Sequence, residues 1–492
     1  MARIYPVALA LALVAGGCHA APAFDVTLLG SPIVDEDPFA GVDTLELRWW
    51  RPGQTPKIDH VAFQRAATLH LSAPTLVDGA QLEIAALSGG SVVAVGRTAP
   101  LARTNKSASA YLGLVDRFVT TATTRPLSSA RFGASATSLG DGRVLVAGGA
   151  TRGAAGVPDA SSISPLVELY DPATGSFSLV TASGFGERIY HAAVATADGG
   201  ALLLGGLGKF GARDDVYRFH PKSGLTAAGT LPGPRYGAAA AALADGNVLL
   251  VGGYTMPDGM GGGTLAPDAL LVAPDGSASV VSLPSPRAFA VATVLADGSV
   301  LITGGSDAAG ARADALVYTP TTRAFAAPSG KSGRAAMASP RVGHSATLLA
   351  SGAVFLYGGN DGRTSVAAPE LYGPDIASFV DTPTFNLIAR ERHGAVTLAD
   401  GSILIAGGES SPQRMAAPSP VPGLLHFTPS GGARGVLAQD LPEAPARAEA
   451  ATLLLPDGSV LYLGGAVGNP RTLAGGAQLF VPCFGACLAV SP

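Results

Sequence analysis

The chain has 492 residues, a formal net charge of -4 and only 14% charged side chains beside 47% hydrophobic ones. That balance offers no basic field to a nucleic acid, so no nucleic-acid partner is expected. No stretch approaches the roughly 20 apolar residues of a membrane-spanning helix.

At the N-terminus, Arg3 precedes an apolar run from Val7 to Ala15, and Gly16 and Gly17 lead into Cys18. The run is too short to span a bilayer and reads as a signal peptide, residues 1–18. A cysteine after a small-residue exit resembles the lipobox of bacterial lipoproteins, although Ala15 stands where leucine is usual. That resemblance implies acyl chains on Cys18, a membrane contact through this lipid anchor, and a place in the cell envelope; the alternative is an ordinary secretory signal cleaved near Ala20 or Ala21, with a periplasmic or secreted protein. The other two cysteines, Cys483 and Cys487, lie close together near the C-terminus, and in an exported protein they are expected to form a disulfide.

Residues 24–102 contain short apolar runs separated by turn residues: Phe24–Leu29, Thr44–Trp50, Thr68–Ser72, Ala80–Leu87 and Ser91–Val95. This spacing predicts a small antiparallel, Ig-like β-sandwich. Trp49 and Trp50 are adjacent and so face opposite sides of a strand, which leaves one of them to anchor the core. Thr98–Ser109 is polar and aperiodic and reads as a linker.

From residue 110 to 492 one register recurs seven times. Gly-Gly pairs begin at Gly148, Gly205, Gly252, Gly304, Gly358, Gly407 and Gly464. Seventeen positions before each stands Arg131, Arg188, Arg235, Arg287, Arg341, Arg390 or Arg447. Seven positions before each stands Asp141, Asp198, Asp245, Asp297, Ser351, Asp400 or Asp457, always followed by glycine. A period near 50 residues predicts a propeller array. The alanine-rich segment before each Asp-Gly suits an inner strand crowded at the axis. Asp-Gly supplies the turn, because glycine tolerates positive φ. An apolar or aromatic residue, one spacer and a proline then recur from Tyr170–Pro172 to Phe480–Pro482, closing the third strand.

Together these features resemble the kelch repeat: arginine, a histidine three later in some copies, Gly-Gly, then Tyr-Asp-Pro and an aromatic, most fully over residues 131–183. The resemblance implies a seven-bladed, all-β propeller of four-stranded blades. The fourth-strand tryptophan of many kelch proteins is absent, with Phe177 and Phe325 as substitutes. Residues 111–120 or the tail Leu488–Val490 would close the ring. Ser88–Arg97 mimics a second strand, so a decayed eighth blade is the competing arrangement.

The chemistry is less legible. His191, His344 and His393 follow the register arginine by three in blades two, five and six, too far around the ring to share one ion, and read as hydrogen-bonded packing residues. No cofactor or metal is expected. The cysteine needed by copper oxidases that combine a sandwich with a kelch propeller is missing, and no sialidase box, Gly-x-Ser-x-Gly elbow, His-Glu-x-x-His or phosphate loop occurs. A mutarotase-like reaction would have to use Glu187, Glu391 or Glu409. The seven register arginines should form a ring that either binds an anionic ligand or packs between blades and caps carbonyls. The loops after Gly-Gly share a face with those preceding the arginines and vary in length, most in Ala150–Pro165, Tyr254–Pro267 and Glu409–Pro422. Candidate binding residues there are Met256, Asp258, Met260, Asp307, Asn360, Asp361 and Glu409. The expectation is a non-catalytic binding protein that meets a protein or glycan partner on this face; the alternative is a carbohydrate-active enzyme with its pocket at the channel mouth.

Overall fold

The computed structural model describes residues 7–10, 23–30, 37–51, 54–63, 67–72, 80–98, 101, 106–115, 118–120 and 126–482, the last apart from 155–156, 260–261, 383–386, 399–400, 413–417, 431–433, 439–445, 469 and 474–475. Cys18, Met260, Cys483, Cys487 and Leu488–Val490 lie outside the described residues.

Seven four-stranded antiparallel sheets stand around one axis. Their inner strands are Ser135–Ser138, Ala192–Ala195, Ala239–Ala242, Val291–Val294, Val342–Leu348, Gly394–Thr397 and Ala451–Leu454, in blades 1 to 7. Each inner strand touches the next, and the last touches the first, so the ring is closed. Second strands such as Val144–Ala147 and Val248–Val251 are buried at every position because neighbouring blades cover both faces. Between blades the apolar side chains form separate clusters, for example Leu249, Val251, Ile302 and Tyr318 between blades 3 and 4. The third-strand tyrosine packs on an outer-strand phenylalanine in three blades: Tyr170 on Phe177, Tyr318 on Phe325 and Tyr372 on Phe379, with centroids 4.9, 5.0 and 5.1 Å apart. Phe177 and Phe325, expected as substitutes for a fourth-strand tryptophan, thus both lie against the third-strand tyrosine.

Blade 7 is completed from the N-terminal side. Phe118–Thr120 pairs antiparallel with Ala477–Phe480 as its outermost strand. Ser107–Leu114, expected as linker and ring closure, instead belongs to the N-terminal sheet, where it pairs in parallel with Ala23–Gly30 and antiparallel with Ser91–Thr98. It is the return leg that carries the chain from that sheet to the ring. Ser91–Thr98 lies wholly in the same sheet, so the described propeller has seven blades and no eighth.

The N-terminal sheet has eight strands and curls over its own core. Ala23–Gly30 and Thr44–Arg51 are separated by three strands in the sheet order, yet Phe24 meets Trp49 edge-on at 5.8 Å. Only folding of the sheet into a small sandwich brings them together. The parallel pairing departs from a purely antiparallel Ig-like plan. Trp49 is the core anchor.

This sheet docks on the Asp-Gly turns of blades 7 and 1. Gln81 donates to the Pro456 carbonyl at 3.2 Å, and Ala85 and Val95 pack near Val481. Arg97 and the turns Gly140–Gly142 and Pro456–Gly458 line the cleft between the two units. The face carrying the Gly-Gly loops is therefore the one that this sheet leaves uncovered. The described arms of those long loops pair as hairpins: Gly153–Ala154 with Val157–Pro158, Tyr254–Pro257 with Gly263–Leu265, and Glu409–Ser410 with Ser419–Pro420.

Candidate functional site

Each register arginine stands just before the inner strand of its blade, and its side chain is buried in the blade rather than open at the axis. All seven are buried, at 0–3% exposure. Arg188, Arg235, Arg287, Arg341, Arg390 and Arg447 each donate to the carbonyl of the first glycine of their own blade's Gly-Gly pair, at 2.7 to 3.5 Å. Five meet a carboxylate on the third strand: Arg131–Glu168 at 2.7 Å, Arg188–Asp215 at 2.9 Å, Arg235–Asp268 at 3.0 Å, Arg287–Asp314 at 2.7 Å and Arg341–Glu370 at 2.8 Å. Arg447 meets Gln478. The arginines cap carbonyls and join strands, and this burial closes off the anion-binding ring.

The acidic partners had a sequence signal. Aspartate stands four positions before the apolar residue of the x-Pro motif in Asp215, Asp268 and Asp314, and the longer Glu168, Glu370 and Gln478 stand two before it. Both positions face the same side of a strand, so chain length compensates for distance. Asp314 shows the electrostatic result: burial raises its pKa, but hydrogen bonds and charge from Arg312 and Arg287 hold it down at about 2.

The glycine pairs serve the joint between blades. The amide of the second glycine donates to the register arginine's carbonyl in the next blade, as in Gly305 to Arg341 at 2.9 Å and, closing the ring, Gly465 to Arg131 at 3.0 Å. At Gly304, φ is +56° and a Cβ would collide with the Arg341 carbonyl.

The histidines stitch the same joint. His191, His344 and His393 bond through Nε2 to Ser135, Thr303 and Ser345 of the preceding blade at 2.7, 2.9 and 2.8 Å. Among the described residues no group of His, Cys, Asp or Glu is placed to hold a metal. Burial, and then the charge of Arg188, Arg341 and Arg390 respectively, pushes all three imidazoles down to about 3. Their pKa is depressed in the folded state, so the unfolded chain takes up protons below about pH 6.5 that the folded one refuses. The stability they supply is present above pH 6.5 and is lost as pH falls toward 3. Urea unfolding at pH 7 and pH 5 should show a loss of about 2 kcal/mol per histidine, and His344→Gln should flatten that dependence by one proton. An unchanged dependence in the variant would mean that His344 contributes nothing to it.

A feature missed in the sequence sits at the axis on the loop face. Two residues after every register arginine the backbone is left-handed: Gly133, Tyr190, Gly237, Phe289, Gly343, Arg392 and Glu449 have φ between +53° and +69°. Backbone hydrogen bonds link these residues around the axis, including Gly237 to Tyr190, Phe289 to Gly237, Arg392 to Gly343, Glu449 to Arg392 and Gly133 to Glu449, at 2.7 to 3.2 Å. Three glycines in seven equivalent positions were the available signal. The other four residues hold side chains in a conformation that costs an L-residue about 1–2 kcal/mol.

Those four side chains cap the channel. Tyr190 meets Phe289 edge-on at 5.4 Å across the gap left by Gly237, and its hydroxyl donates to Glu449 Oε2 at 3.2 Å across the gap left by Gly133. Tyr236 and Tyr254 extend the aromatic sector. On the other side, Arg392 donates to Glu409 at 2.6 Å and lies 3.6 Å from Glu449, while Arg471 takes Glu409 bidentately at 2.6 and 2.9 Å and Glu449 at 3.0 Å. Burial lowers the Arg392 pKa, but Glu449, Glu391 and Glu409 together raise it above its ordinary value. The mouth is half aromatic and half ionic.

Among the expected loop residues, Glu409 is buried in this cap. Asn360 donates to Glu391 Oε1 at 2.9 Å and joins it from the side. Asp307 pairs with Arg312, and Asp361 caps the amides of Arg363 and Thr364, so both are occupied by their own loops. Asp258 accepts from Gly262 at 3.0 Å, and Met256 is 66% exposed at the rim. No known protein-family model matches the chain, and no curated protein is similar to it. The functional reading therefore rests on this geometry.

Proposed function

We propose that the chain is a binding protein that receives its partner on the Gly-Gly loop face, over the capped mouth of a kelch-type propeller. The observation that carries this reading is the placement of Tyr190, Phe289, Arg392 and Glu449 in left-handed backbone at positions where glycine would be relaxed. Side chains kept at such a cost cluster at functional sites. The same face is the one left open by the N-terminal sheet.

Binding fits Glu391 and Glu409 better than catalysis does. Glu409 already accepts three charge-assisted bonds from Arg392 and Arg471, and Glu391 Oε1 accepts from Asn360, Ser365 and Ser411 at 2.9, 2.9 and 2.8 Å. A general base needs a lone pair facing its substrate; these face their own donors.

The test is a thermal-shift screen of the protein against neutral, acidic and amino-sugar oligosaccharides, repeated on Phe289→Gly. Glycine suits the +53° backbone and opens the cap, so the variant should unfold within about 2 kcal/mol of the parent. A ligand at 100 times its Kd adds about 2.7 kcal/mol, and that gain should vanish in Phe289→Gly. A ligand whose gain survives the substitution would place binding away from the mouth.

A further inference from the structure

Radially outward from Tyr190, blade 2 carries a second feature that the cap does not use. Leu207–Gly208 pairs with Gly211–Ala212, leaving Lys209 and Phe210 as a two-residue turn. Phe210 is 92% exposed, the most exposed large hydrophobic side chain among the described residues. A turn tip has no structural use for such a ring, since any polar residue would serve there. Behind it lies an open cleft of about 410 Å³ lined by Glu187, Lys209, Phe210, Arg213 and Asp214.

The floor of the cleft is set up for hydrogen bonding. Glu187 lies under the hairpin, its backbone carbonyl close beneath Gly208. Its carboxylate makes no hydrogen bond among the described residues, in contrast to Glu391 and Glu409. Arg213 is held in place by Asp215, which it meets through Nε at 3.2 Å and Nη2 at 2.6 Å, so its Nη1 is left over as a fixed donor. The Lys209 ammonium stands 5.3 Å from the centre of the Phe210 ring and supplies a movable donor. Two arginine or lysine charges against Glu187, Asp214 and Asp215 leave the cleft without a strong sign.

An open aromatic face, one unused carboxylate and a fixed guanidinium edge in a nearly neutral cleft match the chemistry of a pyranose. The ring's C–H face stacks on Phe210, and vicinal hydroxyls donate to Glu187 and accept from Arg213. We infer that this cleft is a subsite for a neutral sugar residue, so that an oligosaccharide on the loop face runs outward from the mouth along blade 2. The inference rests on the loop face being the binding face. It adds the ligand class and the direction in which the ligand lies.

Ligand-observed saturation-transfer NMR on the intact protein with maltose, cellobiose, lactose and di-N-acetylchitobiose tests it. One stack and a few hydrogen bonds imply a millimolar Kd for a disaccharide. At least one of the four should bind, weakened tenfold or more by Phe210→Ala and about fivefold by Glu187→Gln. Leu179→Ala, at another exposed apolar side chain on the outer strand of blade 1, should leave binding unchanged. Phe210 touches solvent almost throughout, so its loss does not threaten folding. Absence of binding by all four, or binding indifferent to Phe210→Ala, overturns the subsite. Binding lost in Phe289→Gly but kept in Phe210→Ala overturns it while leaving the mouth intact; the reverse supports this cleft and removes the mouth. A protein partner that Phe210→Ala releases would overturn the sugar assignment.

Discussion

Arg341→Ala should cost the protein about 3–5 kcal/mol, the loss expected when one partner of a buried ion pair is removed. Arg341 is fully buried and donates to three acceptors: Gly358 O at 2.7 Å, Ala368 O at 2.6 Å and Glu370 Oε1 at 2.8 Å. Removing it strands two carbonyls and half of a buried carboxylate and leaves a cavity between strands. Glu370 keeps Arg334 at 2.7 Å and the Ala338 amide at 2.7 Å, which places the loss toward the lower end of the range. Lysine should not rescue it, because a single ammonium cannot reach three acceptors in the plane that a guanidinium spans. Arg334→Ala provides the contrast: its side chain is 36% exposed, and its ion pairs with Glu370 and Asp381 should be worth less than about 1 kcal/mol. Urea unfolding of both variants is the measurement. Equal midpoints for Arg341→Ala and the parent would mean that the register arginines do not hold the blades.

Gly304→Ala should be of similar size, about 3 kcal/mol or more, from two additive causes. The backbone at Gly304 is left-handed at φ +56°, and a Cβ there would meet the Arg341 carbonyl of the next blade and stand 2.8 Å from His344 Cε1. Neither neighbour can retreat, since the carbonyl accepts the Gly305 amide at 2.9 Å and the imidazole is held by Thr303. Gly298→Ala isolates the first cause. Gly298 has φ +81° in the Asp-Gly turn, and a methyl group added there would meet nothing within 4 Å, so only backbone strain of about 1–2 kcal/mol applies. Calorimetric midpoints of the two variants would separate strain from collision. If Gly304→Ala cost no more than Gly298→Ala, the close approach between blades would carry no energy.

Much of this architecture is written in local chemistry. Asp-Gly predicts a turn wherever it occurs, and glycines such as Gly142 and Gly246 indeed have φ of +85° and +87° there. Proline two residues after an apolar or aromatic residue follows the end of the third strand in six blades, Leu424–Ser430 of blade 6 running past Pro429, and seven repetitions count the blades. The packing role of His191, His344 and His393 was legible from their shared offset, and the structure supplies the hydroxyl partners. Phe118–Thr120 as the closing strand was half legible: two β-branched residues beside an aromatic suit any sheet edge, and only the position of Ala477–Phe480 decides which edge they join.

The candidate site was scarcely legible, because its parts are remote in sequence. Tyr190 and Glu449 are 259 residues apart yet share a hydrogen bond, and Arg471 reaches Glu409 across 62. The repeat showed that the seven arginines are equivalent, but equivalence alone does not tell a buried ring from an open one. What the sequence by itself determined was everything set by neighbours along the chain: turn type, strand length, alternation and repeat number. Only the closed ring decided which side chains meet at its axis, because left-handed backbone and blade-to-blade hydrogen bonds turn Tyr190, Phe289, Arg392 and Glu449 inward while the register arginines beside them are sealed between blades.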